Sequence, residues 1–324
     1  MINFVIIGAG WRSEFYLRIA KALPEVFNVS AIYIRNKESA EAILEKYNVN
    51  VVDNLGALLE ANFDFIVNCI NREDISDFAV ELSNKGHYVL CETPIISKPE
   101  DAINYDKIQV AEQFHLKGYF QAVKKIIDMG IIGDVTHINM SMAHDYHGMS
   151  LIRYLLDEYE KPVKLGEHIV ESPLLKTNGR IGEFKEKYFD NSLQKIKIYQ
   201  FGDKTAVYDF TDDQYFSPIR KDRLLIRGTK GEISNKTVRY FNEKNEFVES
   251  NIVLHSSGLL DGLYNDKITF ENKVLFEYPY KQARLTEEEI AIAECIIKMK
   301  SYIESGEELY SFKKAYEDYS FFEM

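Results

Sequence analysis

The feature that most constrains this chain is an apolar strand, Val5-Ile6-Ile7, that runs straight into Gly8-Ala9-Gly10-Trp11-Arg12-Ser13 and then into a helical stretch from about Ser13 to Ala22, stopping before Pro24. A strand that turns on two glycines and re-emerges as a helix opens a β-α-β unit. Gly8 supplies the tight turn, and Gly10 lets the backbone approach a pyrophosphate. The helix N-terminus adds free N–H groups and a partial positive charge. Ser13 stands at the place of a third glycine and is small enough for close helix–strand packing. A bare Gly-x-Gly occurs in many turns, but between a strand and a helix at residue 8 it points to a bound dinucleotide.

The alternation continues over the first 115 or so residues. Val29 to Ile34, Phe63 to Ile70 and Tyr88 to Cys91 read as strands, while Ser39 to Tyr47 and Asp74 to Lys85 read as helices, with Ser39 as an N-cap and Gly86 closing the second. This predicts a parallel, doubly wound sheet of the Rossmann kind in residues 1–117. A helix from Tyr119 to Met129 follows, closed by Gly130. Beyond Val135 strand-like runs succeed one another: Thr136 to Met142, Lys195 to Phe201, Thr205 to Phe210, Arg223 to Arg227, Thr237 to Phe241 and Lys273 to Tyr278. One helix, from about Gly148 to Leu156, interrupts them. Residues 118–324 are therefore expected to form an α+β domain with a large, mostly antiparallel sheet. The amphipathic Glu287 to Ser305, with Ile290, Ala293, Ile297 and Ile303 at helical spacing, should pack back as a helix. No linker of low complexity separates the halves, which predicts closely packed domains with a cleft between them.

Composition narrows the partners. The 324 residues carry a formal net charge of -12, which repels phosphate backbones and anionic lipid and argues against nucleic acid or a membrane surface. No stretch approaches the roughly 20 apolar residues of a transmembrane helix. Met1 leads directly into a strand, without a basic n-region or cleavage site. The three cysteines, Cys69, Cys91 and Cys295, lie far apart, which fits buried thiols in a reducing cytoplasm rather than a disulfide framework or zinc site.

Specificity on the adenosine side is less determined. NAD binders usually carry an acid at the end of the second strand, but here the strand ends Tyr33-Ile34-Arg35-Asn36. Arg35 is either a partner for a 2′-phosphate or a solvated surface residue, so NAD and NADP both remain open as cofactors.

With these residues in view, the chain resembles the Gfo/Idh/MocA oxidoreductases, named for glucose-fructose oxidoreductase and inositol dehydrogenase. The resemblance rests on Gly8-x-Gly10, on Val67-Asn68-Cys69-Ile70-Asn71, on Cys91-Glu92-Thr93-Pro94 at the place of a Glu-Lys-Pro signature, and on Val110-Ala111-Glu112-Gln113-Phe114 followed by a helix and Ile132-Gly133-Asp134-Val135. Arg227 to Ile233 matches a later strand-turn-strand of the family. The resemblance implies hydride transfer at one carbon of a sugar, polyol or cyclitol. It also implies a homo-oligomer, dimer or tetramer, built on the second domain's sheet. It sets Glu92 near the nicotinamide ribose, with a cis Pro94 after it, and makes Trp11, Arg12, Ser13, Asn71 and Thr93 cofactor-side residues. Gln113, His144 and Arg220 become substrate-side candidates.

Two departures touch the chemistry. Thr93 replaces the family's lysine and cannot ionise. Ala143 stands where the family has an aspartate four residues before a histidine, although His147 fills the histidine's place. His147, helped by Tyr146 or His144, is then the candidate base, a role worth roughly 10²–10⁴ in rate. His144-Asp145-Tyr146-His147 is also the densest polar cluster, but no further ligand at a zinc spacing accompanies it, so no metal is expected. An active dehydrogenase, an enzyme with another reaction centre, and a non-catalytic nucleotide- or sugar-binding regulator of the same fold all remain open. Gln214 to Arg220 is either part of a sugar site or a plain loop.

Overall fold

The computed structural model describes residues 1–98, 105–180, 182–259 and 262–324. In chain order the elements are β1 (Ile2–Ile7), α1 (Ser13–Ala22), β2 (Phe27–Tyr33), α2 (Lys37–Tyr47), β3 (Val51–Val52), α3 (Leu55–Leu59), β4 (Phe65–Asn68), α4 (Ile75–Asn84), β5 (Val89–Cys91), β6 (Ile108–Val110), α5 (Gly118–Asp128), β7 (Val135–Ser141), α6 (Asp145–Leu156), β8 (Val163–Gly179), β9 (Gly182–Phe201), β10 (Lys204–Thr211), β11 (Arg223–Gly228), β12 (Gly231–Ser234), β13 (Thr237–Phe241), β14 (Phe247–Asn251), β15 (Val253–Leu259), β16 (Gly262–Phe270), β17 (Lys273–Glu277), α7 (Glu287–Ser305) and α8 (Phe312–Glu323).

Packing divides the chain into two units. The first holds Met1–Gly118, Ser256–Asp266 and Glu277–Ser320; the second holds Tyr119–His255, Lys267–Phe276 and Phe321–Met324. Residues 1–117 are thus joined in their unit by α7 and most of α8.

The first unit contains a six-stranded sheet in the order β3-β2-β1-β4-β5-β6, and its strand pairs are parallel. The order reverses at β1, because β2 lies on one side of it and β4 on the other. That topological switch point opens a crevice at the carboxyl ends of the strands. The central strands are buried and nearly free of polar residues, as both faces of a parallel sheet require. Phe4 and Phe65 stack at 5.9 Å within this core. Ala291, Ile292, Ala293, Cys295, Ile296 and Met299 of α7 join it.

The second unit contains an eight-stranded sheet in the order β14-β13-β12-β11-β7-β10-β9-β8. Its pairs are antiparallel except β7 with β10. The third sheet has the order β15-β16-β17. No helix among the described residues is long and apolar enough to cross a membrane, and all three cysteines are buried free thiols.

Several boundaries differ from the sequence expectation for local reasons. Helix α2 is capped by Asn36, not Ser39. Asn36 sits in extended backbone and its Oδ1 accepts the Ser39 N–H at 2.9 Å, a role for which Asn and Ser are about equally suited. Helix α6 begins at Asp145 rather than Gly148. Gly148 lies inside it because a Cβ there would stand 2.5 Å from Cε2 of Tyr208, so this glycine marks close packing and not a helix start. The β8–β9 hairpin was legible only from Lys195 onward. Residues 182–191 of β9 are almost wholly exposed on both faces, so they lack the in/out alternation that identifies a half-buried strand.

Candidate functional site

The turn after β1 is shaped by backbone geometry. Gly8 adopts φ +107°, and a Cβ on it would meet the Cys69 carbonyl oxygen at 2.6 Å, so no other residue fits without moving the backbone just beyond β4. Its N–H donates to the Tyr33 carbonyl, tying the turn to β2. Gly10 is different: a Cβ there would meet nothing within 4 Å. Nothing in the protein itself demands glycine at that position, which is what a cradle left open for an approaching ligand looks like. Ser13 Oγ donates to the Gly10 carbonyl at 2.6 Å and closes the turn onto α1, whose start has no side-chain cap.

A cleft of about 700 Å³ opens here, lined among others by Gly8, Gly10, Arg35, Asn36, Ser39 and Asn71. This size suits a small-molecule or cofactor site. Arg35 is exposed at the end of β2, and Asn71 donates to Asp74 at 2.9 Å. Trp11 is 52% exposed and packs edge-on against Phe15. Backbone that can approach phosphate and a helix start without a side-chain cap fit a dinucleotide, while the end of β2 lacks the acid that usually meets the ribose of NAD.

Arg12 is not among the residues lining that cleft and belongs to an ionic network. Its Nε lies 3.1 Å from Glu92 Oε2 and its Nη1 lies 3.2 Å from Glu288 Oε1 at the start of α7. Glu92, 4% exposed, also accepts the Tyr16 hydroxyl at 2.6 Å. Glu288 is further bound by Lys117 Nζ at 2.5 Å and by Gln113 Nε2 at 2.7 Å. Burial opposes the Arg12 charge, but the Glu92 and Glu288 carboxylates outweigh it and hold the guanidinium above its ordinary value. Burial raises Glu92 in spite of Arg12 and Tyr16. Burial likewise raises Glu112 to about 8. Glu288 goes the other way: the Lys117 and Arg12 charges overcome its burial and lower it to about 2. Gln113 is 1% exposed, and its Oε1 has no hydrogen-bond partner among the described residues. Thr93, joined to Pro94 by a cis peptide bond, is partly exposed just beyond Glu92.

In the second unit, α6 gathers a ring cluster. The imidazoles of His144 and His147 lie 4.8 Å apart by centroid, and Tyr146 lies 4.4 Å from His147. His144 Nδ1 is 2.8 Å from the Tyr215 hydroxyl, which also accepts the His144 N–H at 3.0 Å. His147 is 2% exposed. Tyr215 comes from the 3-10 turn Asp212–Tyr215, whose capping box pairs Thr211 with Gln214. Part of the segment from Gln214 to Arg220 is thus an organised turn. Arg220 itself donates to the adjacent Ile219 carbonyl at 3.3 Å. Among the described residues, no group of three or more His, Cys, Asp or Glu is placed to hold a metal.

The structure therefore brings Gly8, Gly10, Arg35 and Asn71 onto one cleft. It gathers Arg12, Glu92 and Gln113 into one ionic network, and His144, Tyr146 and His147 into one ring cluster. Sequence reasoning missed Tyr16, Lys117 and Glu288 in the network, and Lys195, Tyr208 and Tyr215 around the rings. Only Tyr215 carried a signal, as an aromatic of the Gln214 to Arg220 segment.

Residues 2–117 match the oxidoreductase family described as having an NAD-binding Rossmann fold, Gfo/Idh/MocA. Across the whole chain the fold is that of several solved dehydrogenases. A levoglucosan dehydrogenase complex with NADH and levoglucosan is 16% identical, with TM-score 0.66, covering 99% of this chain and 95% of its own. A myo-inositol dehydrogenase from Corynebacterium glutamicum is 12% identical, with TM-score 0.62, covering 100% and 95%. An oxidoreductase from Agrobacterium radiobacter, in complex with NAD+, L-tartaric acid and magnesium, is 14% identical, with TM-score 0.62, covering 99% and 94%. These likenesses establish the fold. No curated protein sequence matches the chain.

Gly10→Val tests the open cradle. The substitution should leave the thermal midpoint nearly unchanged, since a Cβ meets nothing, and should weaken nucleotide binding by about 100-fold or more by obstructing backbone approach to the phosphates. Unchanged affinity in calorimetry would show that phosphates are not held at this turn.

Proposed function

We propose, from the match of residues 2–117 to the NAD-binding domain of the Gfo/Idh/MocA family, that the protein is a cytoplasmic, homo-oligomeric NAD(P)-dependent dehydrogenase of that family acting on a CH–OH group of a sugar, polyol or cyclitol. The observation that carries this reading is the Gly10 cradle at the mouth of the switch-point cleft. A nicotinamide bound there supplies the hydride acceptor or donor. The chain's own residues bind it, orient it and manage the proton.

In this reading Gly8 and Gly10 admit the pyrophosphate, the start of α1 stabilises its charge, and Arg35 meets a 2′-phosphate when the cofactor is NADP. Asn71, Glu92 and Thr93 serve the nicotinamide side. Glu92 stays fixed by Tyr16 and Arg12, and Thr93 donates one neutral hydrogen bond. His147, as neutral imidazole, takes the substrate hydroxyl proton during oxidation and returns it during reduction, with His144 and Tyr146 packed on its ring. Gln113 and Arg220 are substrate-side candidates, and the buried Gln113 Oε1 is suited to accept from a hydroxyl.

A specific observation supports a second reading, a non-catalytic nucleotide- or sugar-binding regulator. Thr93 cannot ionise, and Ala143 is fully buried and apolar, so two of the family's ionisable positions cannot carry charge or move a proton here. Nicotinamide absorbance followed across a panel of sugars, polyols and cyclitols separates the two readings. Turnover with any of them supports the dehydrogenase; tight nucleotide binding without turnover on the whole panel overturns it in favour of the regulator.

A further inference from the structure

The corner that opens α6 is held from three directions. Asp145, its first residue, adopts φ +45°, a conformation uncommon for a residue with a β-carbon. Such a conformation persists where the surroundings over-determine it. The Asp145 N–H donates to the Tyr208 hydroxyl of β10 at 2.7 Å. Its Oδ1 accepts from Lys195 Nζ of β9 at 2.7 Å. The preceding residue, His144, is fixed through both its N–H and its Nδ1 to the Tyr215 hydroxyl. Tyr208 reaches this corner only because position 148 has no Cβ.

Asp145 lies between His144 and His147 in sequence, and the two imidazoles meet edge to face at 4.8 Å. Their relative placement depends on the backbone turn that Asp145 makes. Among the described residues, the charged and titratable groups around the pair include Asp145 and Tyr146 from α6, Lys195 from β9, Tyr208 from β10, and Tyr215 with Asp212 from the 3-10 turn. Burial holds the Tyr208 phenol well above its ordinary value, so it is neutral. Lys195 is the cation bonded directly to the corner.

We propose that Lys195 is a positioning residue for this histidine pair: its ammonium pins Asp145 in the left-handed conformation that sets His144 and His147 side by side, and its charge offsets the Asp145 carboxylate next to them. This deepens the reading of His147 as the base, and rests on it for its catalytic meaning alone. Lysine is lost from the family's signature at Thr93, and a different lysine governs the electrostatics of the histidines in the second unit. Without the ammonium, the carboxylate that lies between the two histidines in sequence loses the counter-charge bonded to it. It then favours imidazolium, the form that cannot take a proton.

The test uses the full-length protein and needs no substrate. Imidazole proton resonances are followed against pH in the wild type, Lys195→Met, Lys195→Gln and Lys195→Arg, and are assigned with His144→Asn and His147→Asn. The midpoint of at least one of the two histidines should move up by about one unit in the Met and Gln variants and return near the wild-type value in the Arg variant. Gln keeps a donor of similar reach without charge, so it serves if Met does not fold. Midpoints unmoved in whichever neutral variant retains native near-UV dichroism overturn the proposal. Where a turned-over substrate is known, the acid limb of kcat should move up by the same amount. A fall in kcat with that limb in place also overturns it. Failure to find any substrate leaves the titration readout intact, so the two readings fail separately.

Discussion

Arg12→Met should destabilise the protein by about 3–5 kcal/mol near neutral pH, because it removes one partner of a buried ionic network and leaves the other charges uncompensated. The guanidinium bridges Glu92 and Glu288, whose side chains are 6% and 28% exposed. Methionine keeps the packing of the arginine stem but not its charge. Glu92 must then stay ionised without its main counter-charge or take up a proton. In the second case the folded variant binds more protons than its unfolded chain above the ordinary carboxylate range, so its stability falls as pH rises. The deficit against wild type should accordingly be small near pH 4 and grow toward pH 8. Adding Glu92→Gln should recover part of it, as coupled neighbours do. Urea midpoints across that range measure all three effects. A loss under about 1 kcal/mol that does not vary with pH would mean that the network is not coupled as its distances imply.

The wild-type protein carries related signatures of opposite sign. Glu288, held at about 2 by Lys117 and Arg12, contributes stability above its unfolded value and loses it as pH falls through that lower range. Glu112, raised by burial to about 8, works against stability as pH climbs from the ordinary carboxylate range to about 8. Taken alone, the two place their combined optimum in the ordinary carboxylate range, with stability declining from there toward pH 8.

The same network shows where the sequence stops being informative. Gly8 and Gly10 were legible because strand, turn and helix are contiguous, and a glycine there has a local reason. Arg12 sits in that same stretch and read as a cofactor residue. Its partner Glu288 is 276 residues away, and no local pattern marks an acid at the start of a late helix as belonging to the first turn of the chain. His147 was found by a motif. Tyr208, 63 residues beyond Asp145, and Lys195, 50 residues beyond it, sit on strands where an aromatic or a lysine is ordinary. The parallel sheet announced itself through apolar runs buried on both faces. The exposed half of the β8–β9 hairpin did not, because solvent on both faces erases the alternation that identifies a strand.

His147→Ala should lower turnover by about 10²–10⁴, the usual worth of a positioned general base, and leave the nucleotide dissociation constant within about threefold of wild type. The imidazole is buried and packed on His144 and Tyr146, so His147→Asn, which keeps much of the ring's volume, guards against a packing defect. Both variants should lose turnover. If either retains wild-type kcat, the proton is moved elsewhere and the enzyme has another reaction centre. If kcat is kept but KM rises, the ring holds substrate and does not act as the base.

The claim on which all of this depends is that the cleft beyond β1 holds a pyridine dinucleotide. Trp11, the sole tryptophan and half exposed beside Gly10, is placed to report it. Titration of the purified protein with NADH and with NADPH, read by calorimetry and by Trp11 fluorescence together, should give saturable binding of at least one of them, with a stoichiometry of one per chain and loss of the signal in Gly10→Val. The absence of heat and of a fluorescence change with both nucleotides, oxidised and reduced, would contradict the account.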